Sequence, residues 1–251
     1  MSFNISVAGK GGSGKTSLAC LIIRYLVKAG KGPLLAVDAD PNSNLGESLG
    51  LDIGQTIGST IASFNTEKIK IPSGMTKQAY LDYTLNQAVV ESKGIDLITM
   101  GRGEGPECYC YPNLLLRKFV DALSDSYSYV ITDNEAGMEH LSRRTAQRID
   151  ALFIASDHSV KGVRTIARIG DLVTELGLAV RTQSAVVSFV PNGLNPRVGE
   201  ELSRLGIEPA AIIPYDEEVR QYDIEQKSLL DLPDTSRAVA AVDGLMAKVI
   251  E

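Results

Sequence analysis

The run GKGGSGKT, residues 9–16, matches the phosphate-binding pattern G-x-x-x-x-G-K-[ST] in full. Gly9, Gly11, Gly12 and Gly14, with Ser13 among them, let backbone N–H groups curl around phosphate oxygens. Lys15 reaches the β and γ phosphates in such a loop, Thr16 sets a hydroxyl on Mg²⁺, and Ser17 completes the binding run at a helix N-terminus. Lys10 adds a second cation inside the loop. It is either a solvated loop charge or a charge delivered across a dimer interface to a partner's phosphates. The run GPECYCYP, residues 105–112, holds two of the three cysteines, Cys108 and Cys110. Side chains at i and i+2 of an extended segment point the same way, so both thiolates can meet one ion. Two ligands cannot close a tetrahedral site, but a twofold axis presents the same pair twice. Zinc, nickel and copper(I) all suit thiolates. A lone C-x-C is otherwise ordinary packing, and Cys20, inside LACLIIRYL, reads as core.

Carboxylates follow two apolar runs. VDADPNSNL, residues 37–45, puts Asp38 and Asp40 at the carboxyl end of a strand, where open α/β sheets bind ligands. Helix capping is the plain alternative for both. YVITDNEAGMEHL, residues 129–141, ends an apolar run at Asp133, which can hold magnesium through a water. The two histidines, His140 and His158, lack the spacing of a metal motif.

These residues need strands and helices to bring them together. Short, nearly continuous apolar runs occur at 3–9, 32–38, 95–101, 127–133, 150–156, 181–190 and 208–214, the pattern of strands buried on both faces of a parallel sheet. Helical patterns at 16–30, 113–125 and 161–177 separate them. In the last, Val163, Ile166, Ile169, Leu172, Val173 and Leu176 recur at spacings of three and four. Gly30 and Gly177 stand where left-handed C-terminal caps belong. The alternation predicts a single doubly wound α/β domain over residues 1–251, its mostly parallel sheet flanked by helices. Residues 54–94 are the least regular and read as an insertion or a mobile region.

Composition narrows the function. A chain of 251 residues buries a sizeable core. A net charge of −6 argues against a surface that coats nucleic acid. No apolar run approaches the roughly 20 residues that span a bilayer, and MSFNISVAGKGG, without a basic n-region and long h-region, does not read as a signal peptide. The carboxyl end, PDTSRAVAAVDGLMAKVIE, sets Asp234, Asp243 and Glu251 against Arg237 and Lys248, a poor match to a basic membrane-binding helix. Three cysteines make no disulfide framework, so a reducing cytoplasm is expected.

GKGGSGKT also resembles the deviant Walker A signature of the P-loop ATPases that include MinD, ParA and the nitrogenase iron protein, and the resemblance runs along essentially the whole chain. It implies a P-loop NTPase fold, magnesium-dependent hydrolysis of ATP to ADP, and a dimer closed face to face around ATP with Lys10 reaching across. It implies Asp40, followed by Pro41, as the switch I carboxylate that orients the attacking water, and Asp38 as shaping that loop and the magnesium shell. Gly137, in DNEAG, corresponds to the mobile glycine of switch II, and Pro214, in IIPYDEEV, to the adenine side. Relatives often carry an asparagine late in the sixth strand. Here VVSFV puts Ser188 near that slot, so the contact is not carried over. Neither N-K-x-D nor T-K-x-D appears where guanine would be read, which favours ATP over GTP. GEGPECYCYPNLLLR together with DNEAGMEHLSRR is similar to the CooC-type nickel-insertion ATPases. That likeness implies a metallochaperone homodimer binding nickel or zinc through Cys108 and Cys110, with carbon monoxide dehydrogenase as client and neither nucleic acid nor membrane as partner. The nitrogenase iron protein instead uses two well-separated cysteines per chain. The rival readings are a positioning or partitioning ATPase, and a redox protein sharing an iron–sulfur cluster between chains.

Overall fold

The computed structural model describes residues 2–66, 71–102, 110–135 and 148–250. Strand β1 (Phe3–Gly9) runs into the glycine loop and helix α1 (Lys15–Lys28), then β2 (Leu34–Ala39) and α2 (Asn44–Leu49). Helices α3 (Ile57–Thr66) and α4 (Lys77–Gln87) precede a hairpin of β3 (Val90–Ser92) and β4 (Ile95–Thr99). Next come α5 (Cys110–Ser124), β5 (Tyr129–Asn134), β6 (Ile149–Asp157), α6 (Val160–Glu175) and β7 (Val180–Val190). The chain closes with α7 (Pro196–Arg204), β8 (Pro209–Pro214), α8 (Glu217–Ile224) and α9 (Arg237–Ala247).

The described strands form one sheet in the order β3-β4-β2-β5-β1-β6-β7-β8. Every neighbouring pair is parallel except β3 with β4. This is the doubly wound, mostly parallel arrangement that the strand–helix alternation predicts. Strand β2 shows why its sequence is apolar throughout. Leu34 and Ala36 join the core under α1 and α9, while Leu35 and Val37 pack under α3, α4 and α5. Further along the sheet, Leu152 and Ile154 of β6 meet Ile166, Ile169 and Val173 of α6. Gly30 and Gly177 take the left-handed conformation expected of caps, with φ of 66° and 61°.

The expected irregular stretch at 54–94 is largely regular. It holds α3, α4 and the edge strand β3. Helix α4 is hard to read because it buries only Leu81 and Leu85, a narrow stripe on an otherwise polar helix. Strand β3 is three residues long and turns back through Lys93 and Gly94, whose φ is 90°. No helix among the described residues is long and apolar enough to cross a membrane.

Candidate nucleotide site

Strand β1 lies between β5 and β6, and its end delivers the glycine loop to the carboxyl edge of the sheet. Gly14 is the residue before α1, at φ 80° and ψ 25°, a left-handed conformation that costs a β-carbon-bearing residue energy. From that turn, α1 points its N-terminus and unpaired N–H groups into the loop. The loop is drawn together at the carbonyl of Lys10, which accepts from the backbone N–H of Ser13 at 3.2 Å and from Lys15 Nζ at 3.3 Å. Lys15 is 7% exposed, so its charge is held inside the loop. Lys10, Gly11 and Gly12 are exposed, whereas Gly9 and Ser13 are buried. Ser13 Oγ is buried and has no hydrogen-bond partner.

Asp38 and Asp133 are lateral neighbours in the register of β2 and β5. Thr16 Oγ1 donates to Asp133 Oδ2 at 2.6 Å across 117 residues of sequence. The other oxygen, Asp133 Oδ1, is buried without a partner. Burial raises this carboxyl to about 6, although the Thr16 hydroxyl and the Lys15 charge pull it back. Asp38 is fully buried and accepts backbone N–H groups from Asp40 at 3.1 Å and Leu45 at 2.9 Å. Burial raises it to about 7 against those hydrogen bonds. A hydroxyl and two water-poor carboxylates form a hard oxygen set. The orphaned Asp133 Oδ1 is an open acceptor in that set. The residues therefore fit a magnesium ion, held by Thr16 and Asp133, that would neutralise phosphate charge when a nucleotide is bound.

Asp40 closes a turn beyond β2. Its Oδ1 accepts from Asn42 N at 2.8 Å and Asn42 Nδ2 at 3.0 Å, and Arg102 holds Asn42 Oδ1 at 2.8 Å. Ser43 in this turn has φ 58°. Gly137, His140 and Cys108 lie outside the described residues. Cys110 is the first residue of α5. The helix thus starts three residues earlier than the pattern at 113–125 predicts, because proline costs nothing in a first turn, where N–H groups have no helical partner. The extended geometry assumed for the C-x-C pair does not hold at Cys110. Cys20 is buried in α1, which pushes its thiol upward in pKa, and His158 is exposed. Among the described residues no group of three or more His, Cys, Asp and Glu is arranged to hold a metal ion.

Beside the loop lies a cleft of about 240 Å³ between α1, the ends of β7 and β8, α8 and α9. Gly14 and Ser17 form its floor, and Ser188, Phe189, Ile213, Pro214 and Val219 line it with Leu18, Leu21 and Ala238. Pro214 lines this cleft. Leu18, Leu21, Phe189 and Ala238 went unread in the sequence, since an apolar residue in a helix or strand looks like core until its neighbours are known.

Comparison with known proteins agrees with this geometry. A model of the CobQ/CobB/MinD/ParA nucleotide binding domain matches residues 5–229. The chain is 38% identical over 248 residues to an uncharacterized ATP-binding protein of Methanocaldococcus jannaschii, covering 98% of each chain. It is 28% identical over 260 residues to the carbon monoxide dehydrogenase accessory protein CooC of Rhodospirillum rubrum, covering 98% of this chain and 96% of that one. The septum site-determining protein MinD of Pyrococcus horikoshii, solved with Mg-ADP, superposes with a TM-score of 0.73 at 17% identity, over 99% of this chain and 96% of its own. With the phosphate loop, the strand-end carboxylates and the family model in agreement, this chain belongs to the CobQ/CobB/MinD/ParA nucleotide binding domain family.

Proposed function

We propose that the chain is a magnesium-dependent ATPase whose nucleotide cycle governs a metal site shared by two copies of itself. The observation that carries the ATPase reading is the joined loop and strand ends: Lys15 buried in the loop, and Thr16 bonded to Asp133 with Oδ1 left open. In this reading Gly9 to Ser17 cradle the phosphates of ATP or ADP, with Lys15 on the β and γ groups. Lys10, exposed at the loop's rim, reaches across a homodimer in the manner of a deviant Walker A lysine. Asp40 orients the attacking water once its hold on Asn42 is released. Asp38 keeps the following loop in place, Gly137 lets switch II move, and Pro214 bounds the base.

Cys108 and Cys110 carry nickel or zinc as cargo, two thiolates from each copy, and the client is carbon monoxide dehydrogenase in a cytoplasmic setting. The likeness to CooC supports this part. Equilibrium dialysis beside light-scattering mass, with and without ATP, tests it. The expected result is one nickel or zinc per two chains, with ATP favouring the dimer and Cys108→Ser with Cys110→Ser abolishing the metal. One metal per monomer, or none, defeats the metallochaperone reading and leaves the ATPase standing.

The fold shared with MinD favours a second reading, a positioning or partitioning ATPase. Against a membrane-bound version, α9 buries Ala238, Val239, Val242, Leu245 and Met246 in the core rather than offering an apolar face to lipid. Cosedimentation with anionic vesicles, or salt-sensitive retention of duplex DNA, would establish that reading.

A further inference from the structure

A line of polar contacts reaches Asp40 from the end of a neighbouring strand. Beyond Thr99 the chain of β4 continues beside β2, and Met100 N donates to the Asp38 carbonyl at 2.8 Å. Gly101 follows, buried at φ 64°, where a β-carbon would lie 2.2 Å from Thr56 Oγ1. Thr56 cannot readily give way. Its N–H donates to Ser59 Oγ at 2.9 Å, and Ser59 N donates to Thr56 Oγ1 at 3.1 Å, a reciprocal cap on α3. Only glycine passes this point in a left-handed conformation without strain. The turn delivers Arg102 to the loop after β2, where its Nη2 donates to Asn42 Oδ1 at 2.8 Å across 60 residues of sequence.

The chemistry of the three groups gives this line a direction. A guanidinium only donates, a carboxylate only accepts, and a carboxamide has one end of each kind. With Arg102 on its oxygen, Asn42 turns its nitrogen toward Asp40, and Nδ2 donates to Asp40 Oδ1 at 3.0 Å. The backbone N–H of Asn42 reaches the same oxygen at 2.8 Å. That backbone contact comes with the turn, whereas the side-chain contact needs the amide to face the right way. An amide turned end for end would set its oxygen against the carboxylate. Arg102 therefore selects the orientation that ties Asp40 down.

Resting on the reading of Asp40 as the group that orients the attacking water, we propose that Arg102 is a positioning residue for hydrolysis. It acts through Asn42 as a latch that keeps Asp40 in the turn. A carboxylate oxygen offers about two lone pairs, and Oδ1 already accepts two N–H groups. It takes a water only after the side-chain contact opens. The latch sets the rate of hydrolysis and leaves nucleotide affinity alone, because Arg102, Asn42 and Asp40 all lie outside the phosphate-binding run 9–17.

Steady-state ATP hydrolysis by the full chain tests this in wild type, Arg102→Ala, Arg102→Lys, Asn42→Ala and the double alanine variant. Mg-ADP affinity and melting temperature are measured beside it. Arg102 and Asn42 are exposed, so the variants are expected to fold and to melt with wild type. Arg102→Ala and Asn42→Ala should each raise kcat by roughly 2- to 13-fold, the worth of one hydrogen bond, with the Mg-ADP dissociation constant unchanged. The double variant should be no faster than the faster single one, since both substitutions open one contact. Arg102→Lys keeps a donor and should stay within about twofold of wild type. A contact that only supports the fold would lower the melting temperature without raising kcat. An Arg102→Ala rate below or within about twofold of wild type, multiplicative effects in the double variant, or an Arg102→Lys as fast as Arg102→Ala overturns the proposal. Asp40→Ala should abolish hydrolysis with or without Arg102. If Asp40→Ala instead hydrolyses ATP at the wild-type rate, the underlying reading of Asp40 fails, a distinct result.

Discussion

The stability of the nucleotide-free protein should fall as pH rises from 5.5 to 7.5, because of two carboxyls. Burial raises Asp38 to about 7 and Asp133 to about 6, whereas an unfolded aspartate titrates near 3.9. Between those values the folded chain holds more protons than the unfolded one, so the slope of stability with pH is negative. The loss begins above the unfolded value, continues through the folded ones, and levels off above about 7. Within the window from pH 5.5 upward, Asp38 gives up about 2 kcal/mol and Asp133 about 1 kcal/mol, from the loss per pKa unit. For a chain of this size that lowers the melting temperature by roughly 5–10 °C. Glu201, Asp216, Glu217, Glu225 and Asp234 are all shifted downward, so their contributions fall at lower pH, outside this window. Differential scanning calorimetry at pH 5.5, 6.5 and 7.5, with and without Mg-ADP, measures the effect. Mg-ADP should flatten the dependence, since a cation beside Asp133 favours its charged form. A melting temperature that is level or rises between pH 5.5 and 7.5 in the empty protein would refute the reasoning.

Two further outcomes follow from packing alone. A β-carbon at Gly9 would lie 2.2 Å from the Ala155 carbonyl oxygen and 2.8 Å from Ser13 Oγ, at φ 153°. Gly9→Ala should therefore wedge β1 from β6 and yield insoluble or unfolded chain, seen as loss of the cooperative melt; a soluble variant with a normal melt contradicts this. Arg24 is 2% exposed and bonds the Leu232 carbonyl through Nε at 3.1 Å and Nη2 at 2.6 Å, with Asp234 as an additional partner. Arg24→Ala should cost about 1–3 kcal/mol in urea unfolding, because a buried carbonyl loses its donors. Asp234→Ala, which removes a solvent-exposed carboxylate, should barely move the midpoint. Equal losses from the two variants would show the ion pair, rather than the carbonyl contacts, to be the anchor.

The fold was legible where the chain repeats one pattern. Strand β1 was read at its observed bounds, Phe3–Gly9, because an apolar run buried on both faces has few alternatives before a glycine loop. The hairpin strand β3 and helix α4 were not read, because three residues and a two-leucine stripe carry too little pattern to separate them from a loop. At the site, the end-of-strand position of Asp38 and Asp133 was visible in the sequence. Their adjacency was not, since it depends on β5 inserting between β1 and β2. The contact of Thr16 with Asp133 follows from the same insertion. Ser188 was visible only as a departure from an expected asparagine; that its hydroxyl is buried without a partner, beside a register shift between Val187 and Val190, is something no spacing announces.

The insertion of late strands beside an early one also governs how the chain can be made. Strand β1 leaves the ribosome before the other described strands, yet its two neighbours, β5 and β6, begin at Tyr129 and Ile149. At synthesis rates of roughly 5–20 residues per second, about 7–30 s pass between completion of β1 and completion of β6. Until β5 is complete this largely apolar strand has both edges unpaired, and until β6 is complete it has one, the condition in which strands recruit other chains. The phosphate loop hangs from that strand and cannot take its shape until the chain beyond Ile149 exists. A nascent chain stalled before Ile149 therefore has no nucleotide site, and ATP cannot stabilise it. The sheet order that places the site at the centre of the molecule also makes it one of the last features to form.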